Sequence, residues 1–178
     1  MYSYSKITTQ NNQLYLTKED DEKETVVFAS KIQYYRKYVE GKTVTFPRFI
    51  CNCYLNGGEI GDFTIESDSI NPEDSFTKTS LASMSIYVNN EYQNRGYARE
   101  MICNLVNYIE KNYKVRKDKM LFIDADASVG FWDYIGMLPN RYYDRYNLNR
   151  EGTGYEKVII WDKLANWAKK KLQNKIHS

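Results

Sequence analysis

The chain has a single histidine, His177, beside the C-terminus. That scarcity argues against a histidine base, and with so few cysteines it argues against a zinc site. The three cysteines cannot all pair with one another. Cys51 and Cys53 lie two apart in a strand-like run and share a face, and Cys103 lies in a helical stretch. All three read as reduced packing residues. No apolar run approaches the roughly 20 residues that span a bilayer. No apolar stretch follows Met1-Tyr2-Ser3-Tyr4-Ser5, so a secretory signal is not expected. The formal net charge of +2 is too small to imply nucleic acid or an anionic membrane by itself. Internal repeats and low-complexity linkers are missing too, so residues 1–178 read as one domain in an intracellular, cytoplasmic setting.

What is present in excess is tyrosine, with 17 copies against 3 prolines and 9 glycines. Such a bias can follow from the base composition of a genome, and it supplies apolar bodies with polar tips for half-buried surfaces. Ser3 to Leu16 has short alternating stretches that suggest a first strand. The acidic run Lys18 to Glu24 suits the positive end of a helix dipole. Phe28, Ile32, Tyr35 and Val39 follow at spacings of four, three and four, so a helix ending at Gly41 is expected. Phe46 to Leu55 reads as a strand, with Pro47 at its edge or beginning. Asn56-Gly57-Gly58-Glu59 is a tight turn into a partner strand, Ile60 to Ile65. A loop from Glu66 to Thr79 follows.

Ala82, Met84, Ile86 and Val88 then alternate with Ser83, Ser85 and Tyr87, which is a strand with one apolar face. Ala98, Met101, Ile102, Leu105, Val106 and Ile109 recur at helical spacing. Met120 to Ile123 is a continuous apolar run suited to a central strand. Val129 to Ile135 reads as a short helix ended by Gly136, Tyr155 to Trp161 as a last strand, and Leu164 to Ile176 as a basic terminal helix. Strand, helix, strand, helix implies a parallel crossover, and the hairpin before it implies antiparallel pairing. The class is therefore α/β with a mixed central sheet.

The segment Gln93-Asn94-Arg95-Gly96-Tyr97-Ala98 leads from that strand into the best-defined helix. N–H groups at a helix start favour an anion. Gly96 permits close approach of backbone and ligand, and Arg95 and Arg99 add positive charge. No lysine–serine or lysine–threonine pair follows the glycine, and there is no triple-glycine dinucleotide fingerprint.

This strand, loop and segment resemble the core motif of the GCN5-related N-acetyltransferases (GNAT), Gln/Arg-x-x-Gly-x-Gly/Ala, matched at Gln93, Gly96 and Ala98. Phe131-Trp132-Asp133-Tyr134-Ile135-Gly136-Met137 resembles the family's aromatic-aromatic-x-x-x-Gly-Phe segment. The resemblance covers residues 82–137. It implies the GNAT fold, in which two parallel strands splay and admit the pantetheine arm of acetyl-CoA. Here those strands are Ser83 to Val88 and Met120 to Asp124. The implied cofactor-binding residues are Ile86, Tyr87 and Val88 on the strand, then Gln93, Asn94, Arg95, Gly96, Tyr97, Ala98 and Arg99 around the pyrophosphate. Phe131 and Trp132 line the cofactor from the following helix. No metal is implied.

The implied reaction is direct transfer of an acetyl group from CoA to an amine. Many family members protonate the leaving thiolate with the second aromatic of the pair, four residues before the glycine. That position is Trp132, and an indole N–H is not a useful acid. Tyr134 is the first replacement, ahead of Tyr142, Tyr143 and Tyr146. Ala125 stands where many members carry asparagine. Asp124, ending the central strand, is the candidate base, with Asp126 and Glu66 behind it. The Val88 N–H is the candidate oxyanion donor.

Two competing readings remain at this level. Trp132 motivates a non-catalytic CoA-binding module of the same fold. Lys163, Lys169, Lys170, Lys171 and Lys175 around Leu164, Trp167, Ala168 and Leu172 motivate binding to nucleic acid or an anionic membrane. The expectation for that helix is that its apolar stripe packs on its own domain. The acceptor is a small-molecule or protein amine, nucleic acid is not expected as a partner, and a homodimer stays open.

Overall fold

Period-two alternation governs the first half of the chain more widely than the sequence pattern announces. The structure is a computed structural model that describes residues 6–10, 13–17, 24–67, 69–77, 82–124, 129–139 and 156–176. Five strands come first: β1 (Lys6–Gln10), β2 (Gln13–Thr17), β3 (Thr25–Val39), β4 (Lys42–Leu55) and β5 (Gly58–Ser67). β6 (Ala82–Val88), α1 (Tyr97–Asn112), β7 (Met120–Asp124) and α2 (Val129–Ile135) form the crossover region. β8 (Leu138–Pro139), β9 (Glu156–Ile160) and α3 (Trp161–Ile176) follow. The strands make one mixed sheet in the order β1-β2-β3-β4-β5-β6-β7-β9-β8. Its single parallel pairing among the described residues is β6 with β7.

The helix expected through Phe28, Ile32, Tyr35 and Val39 is instead the 15-residue strand β3. The 4-3-4 spacing is coincidental. Val26, Phe28 and Ser30 alternate inward and are buried, whereas Thr25 and Lys31 face water. β-branched and aromatic residues dominate the segment, as suits a pleated surface. Gly41, read as a helix stop, is the second residue of a two-residue hairpin turn, with φ of 48° at Glu40 and 79° at Gly41. The acidic residues 18–23 lie outside the described residues. Near the N-terminus two paired strands replace the one expected. Pro47 lies where β4 has β3 alone beside it, because pairing with β5 starts at Arg48.

The remaining expectations sit close to the structure. The hairpin turn falls at Asn56–Gly57. α1 lies across β3 to β6 and buries Met101, Ile102, Leu105, Val106 and Ile109 on one face. All three cysteines are buried thiols outside any disulfide. Burial pushes the thiols of Cys51 and Cys53 up, which removes both as nucleophiles near neutral pH. Ser30 and Asn104 bond side chain to side chain at 2.5 Å, tying β3 to α1.

α3 begins three residues earlier than expected. Its first N–H groups, from Trp161 and Asp162, are capped by the carbonyls of Lys119 and Lys117 at 2.8 and 2.9 Å. Leu164, Ala165 and Ala168 are buried, so the apolar stripe packs inward, against α1. Glu110 of α1 accepts from Trp161 Nε1 at 2.7 Å and from Lys169 Nζ at 2.9 Å. Among the described residues no helix is long and apolar enough to cross a membrane.

Close packing between β5 and β6 fixes where the site forms. A side chain at Gly61 would put its Cβ 2.4 Å from the Tyr87 carbonyl oxygen and 3.1 Å from Val88 Cα. Both are backbone atoms at the end of β6, so the strand itself has to move. Gly61→Ala is expected to destabilise the fold by about 1–3 kcal/mol in urea unfolding. An unchanged midpoint would contradict the close approach.

Candidate functional site

β6 and β7 pair at only two positions, Ala82 with Leu121 and Ser83 with Phe122. Beyond them the strands part. β6 continues to Val88 along β5, and β7 continues to Asp124 along β9. The Asn89 N–H donates to the Ile60 carbonyl at 2.9 Å, which sets the alternation of the β5–β6 ladder. Asn89 and Tyr87 therefore bond toward β5, while the N–H groups of Val88 and Ile86 point toward the β7 side. Among the described residues nothing of β7 pairs with them, and the strand edge opens on a wedge-shaped gap.

A cavity of about 560 Å³ occupies the mouth of this gap. Ile86 and Val88 line it from one face of β6 and Tyr87 from the other. Gln93, Asn94, Gly96, Tyr97, Ala98 and Arg99 line it from the loop and the start of α1, and Phe131 and Tyr134 from α2. No carboxylate is among these lining residues, whereas Arg99 is. The site therefore suits a ligand with an apolar body and a negative end.

The loop is built to present backbone. Asn94 and Gly96 both take positive φ, 61° and 86°. Gly96 caps α1 without a side-chain bond. The first helical hydrogen bond runs from Glu100 N–H to the Gly96 carbonyl at 3.2 Å. The N–H groups of Ala98 and Arg99 thus have no acceptor within the helix, and the dipole's positive end faces the cavity. Gln93 lines the cavity and has a second duty. Its N–H donates to the Asn90 carbonyl, and its Nε2 donates to the Val88 carbonyl and to Asn90 Oδ1, each at 3.0 Å. It braces the loop against the strand end. Arg95 stacks its guanidinium 5.3 Å from the Tyr92 ring centre and is not among the lining residues.

The aromatic pair divides by helical phase. Phe131 and Tyr134, three apart, share the cavity face, while Trp132 and Ile135 share the core face. Trp132 is 1% exposed and does not line the cavity, so it supports the site by packing. Tyr134 is 56% exposed. The Lys171 ammonium lies 4.9 Å from its ring centre. Hydrogen bonding from Lys171, together with the charges of Lys171 and Arg99, holds the phenol below its ordinary range against a desolvation penalty. Asp124 ends β7 opposite Glu156 of β9. Gly136, with φ of 94°, closes α2, and the ion pair of Lys157 with Asp133 ties that helix to β9.

Tyr92 and Lys171 were not legible as site residues. Tyr92 lies in a short 3-10 turn, Asn90–Tyr92. Lys171 belongs to a helix some forty residues along from Tyr134 and reaches it only through the packing of α3. Among the described residues no group of three or more His, Cys, Asp or Glu is placed to hold a metal.

No protein-family model matches the chain, and no curated protein matches it. Several solved structures resemble it in layout. One is an N-acetyltransferase from Staphylococcus aureus Mu50, 17% identical, covering 64% of this chain and 68% of that one, with a TM-score of 0.42. A Bacillus anthracis str. Ames protein in complex with acetyl coenzyme A is 10% identical and covers 77% and 88%, with a TM-score of 0.43. A ribosomal-protein-alanine N-acetyltransferase from Brucella melitensis is 13% identical and covers 65% and 68%, with a TM-score of 0.40. The mixed sheet, the parting parallel pair and the glycine-capped helix between them are the arrangement that the sequence resemblance to the GNAT fold implies.

The left-handed backbone at Gly96 generates a test. A side chain there is strained by about 1–2 kcal/mol, and its Cβ would meet the Arg99 guanidinium at 3.4 Å. Gly96→Ala is expected to weaken coenzyme A binding about ten-fold in calorimetry. Undiminished affinity would remove this loop as the anion site.

Proposed function

We propose that the chain is an acetyl-CoA-dependent N-acetyltransferase that moves an acetyl group directly from CoA sulfur to a primary amine. The observation that carries this reading is the parting of β6 from β7 at the head of α1. It offers a free strand edge for an amide-bearing arm, and helix N–H groups for a diphosphate. Polarity and charge support the reading, because the walls are largely apolar and the lining cation is Arg99.

Bound acetyl-CoA supplies the reactive thioester. The Val88 N–H, free of β7, is placed to donate to the carbonyl oxygen as negative charge develops there. Asp124 is our candidate for taking a proton from the incoming ammonium, so that a neutral nitrogen attacks the carbonyl carbon. The carbon–sulfur bond then breaks, and the Tyr134 phenol gives its proton to the departing sulfur. Ile86 and Phe131 keep water from the thioester. Trp132 is buried, so its indole takes no part in the proton transfers. Release of free thiol when acetyl-CoA is mixed with primary amines tests the proposal, and tight CoA binding without turnover would contradict it.

The acid assignment has a sharper test. Tyr134 works only while protonated, and its phenol is held below the ordinary value of 10.0. The rate is therefore expected to fall on the alkaline side at a lower pH than an ordinary tyrosine would give. Lys171→Met removes the largest cause of the depression and is expected to move that limb to higher pH. Tyr134→Phe is expected to lower kcat about 100-fold. A limb that stays in place in Lys171→Met would remove Tyr134 as the acid.

A further inference from the structure

The β3–β4 hairpin runs past the rest of the sheet. Among the described residues β3 pairs with β2 only as far as Ala29, and β4 pairs with β5 only from Arg48. From Tyr34 opposite Pro47 out to Val39 opposite Lys42, the two strands pair with each other alone. Strand geometry gives this two-stranded arm a reach of roughly 20 Å. Its charge is one-sided. Arg36, Lys37 and Lys42 stand against Glu40, and this surplus of two equals the net charge of the whole chain. The total that is too small to imply nucleic acid is therefore gathered on one projection.

The two faces of the arm differ. Tyr35 and Lys37 share one face, with Phe46 opposite Tyr35. The rings of Tyr35 and Phe46 lie 6.0 Å apart. The Lys37 ammonium covers both, at 5.2 and 5.8 Å from their centres, and the Arg48 guanidinium lies 4.9 Å from the centre of Tyr35. That face closes on itself. The other face is the one on which Ser30 meets Asn104 of α1, so it carries Tyr34, Arg36 and Tyr38 at every second residue. Opposite them stand Pro47, Thr45 and Thr43, short side chains that leave the row uncovered. Tyr34 is 61% exposed and Tyr38 78%, and Arg36 is exposed as well.

Lysines and a proline at a strand edge deter pairing with another chain. That accounts for Lys37, Lys42 and Pro47, and a second copy of the arm would bring like charges together. It does not account for two tyrosines held in water with a guanidinium between them. Such a row suits alternating bases and phosphates, because the rings stack on base faces and the guanidinium pairs with a phosphate. The step along the row, about 6.6 Å, is close to the phosphate spacing of an extended single strand. A duplex hides its base faces in its own stack, so a single strand is the form these rings can reach. The Thr43 and Thr45 hydroxyls beside the row suit the 2′-hydroxyls of RNA.

We propose that the Tyr34, Arg36 and Tyr38 face of this arm is a docking surface for single-stranded RNA. The proposal goes beyond acetyl transfer and stands without it, since the arm shares no residue with the cavity lining.

Fluorescence anisotropy of the full chain at low salt, with a labelled oligouridylate of about twelve nucleotides, tests it. The native protein is expected to bind, with an affinity that falls as salt rises. Tyr34→Ala and Tyr38→Ala are each expected to weaken binding about ten-fold. Arg36→Gln should lower the affinity and flatten the logarithmic salt dependence by about 0.7. All three side chains are exposed, so the variants should keep the native thermal midpoint. Three results would overturn the proposal: no binding by the native protein, an affinity unchanged by both tyrosine substitutions together, or equal binding of an oligodeoxythymidylate of the same length. Tighter binding to phosphatidylserine vesicles than to the RNA, or a dimer in sedimentation that the tyrosine substitutions abolish, would overturn it too. RNA binding without thiol release from acetyl-CoA would contradict the proposed function and support the arm's assignment.

Discussion

The short pairing of β6 with β7 is the constraint on which the site depends. Two residue pairs hold these strands parallel. Each then follows its outer neighbour, β5 or β9, and the two cannot stay together. A sheet that parts in its middle leaves unpaired backbone, which is costly inside a protein. Here the free edge opens into a cavity, so its N–H groups stay available to a ligand. Gly61 allows β5 to hold the end of β6 tightly, and Gln93 pins the loop to the Val88 carbonyl. The β6 side of the gap is therefore held by close packing and by a side-chain hydrogen bond.

Charge is distributed around that gap with a consistent sense. The head of α1, Arg99 and Lys171 make the cavity positive, and the face beyond Tyr87 carries Asp62 and Glu59. Tyr134 stands on the positive side, where nearby ammonium and guanidinium groups ease its ionisation.

The region from β6 to α2 was legible because each element carries its own local period and a matching boundary residue. Ala82 to Val88 alternates strictly, α1 has an apolar stripe, and Gly96 and Gly136 both take the left-handed backbone that glycine favours. β3 was misread because one of its inward residues is polar. Ser30 interrupts the apolar alternation, and only its bond to Asn104, 74 residues away, explains its burial. The two-residue strand β8 exists only through its pairing with β9. The loop residues were legible as a group, but their separate duties were not. Bracing by Gln93, stacking by Arg95 and the inward turn of Trp132 follow from three-dimensional neighbours. The contact of Lys171 with Tyr134 likewise has no local signature.

In the proposed function the β6–β7 gap and the head of α1 together hold acetyl-CoA. A crystal structure of the protein with acetyl-CoA tests it most directly. Pyrophosphate oxygens are expected on the N–H groups of Ala98 and Arg99, and the pantetheine arm along Ile86 and Val88. A coenzyme bound away from that gap, with β6 and β7 unoccupied between Val88 and Asp124, would contradict it.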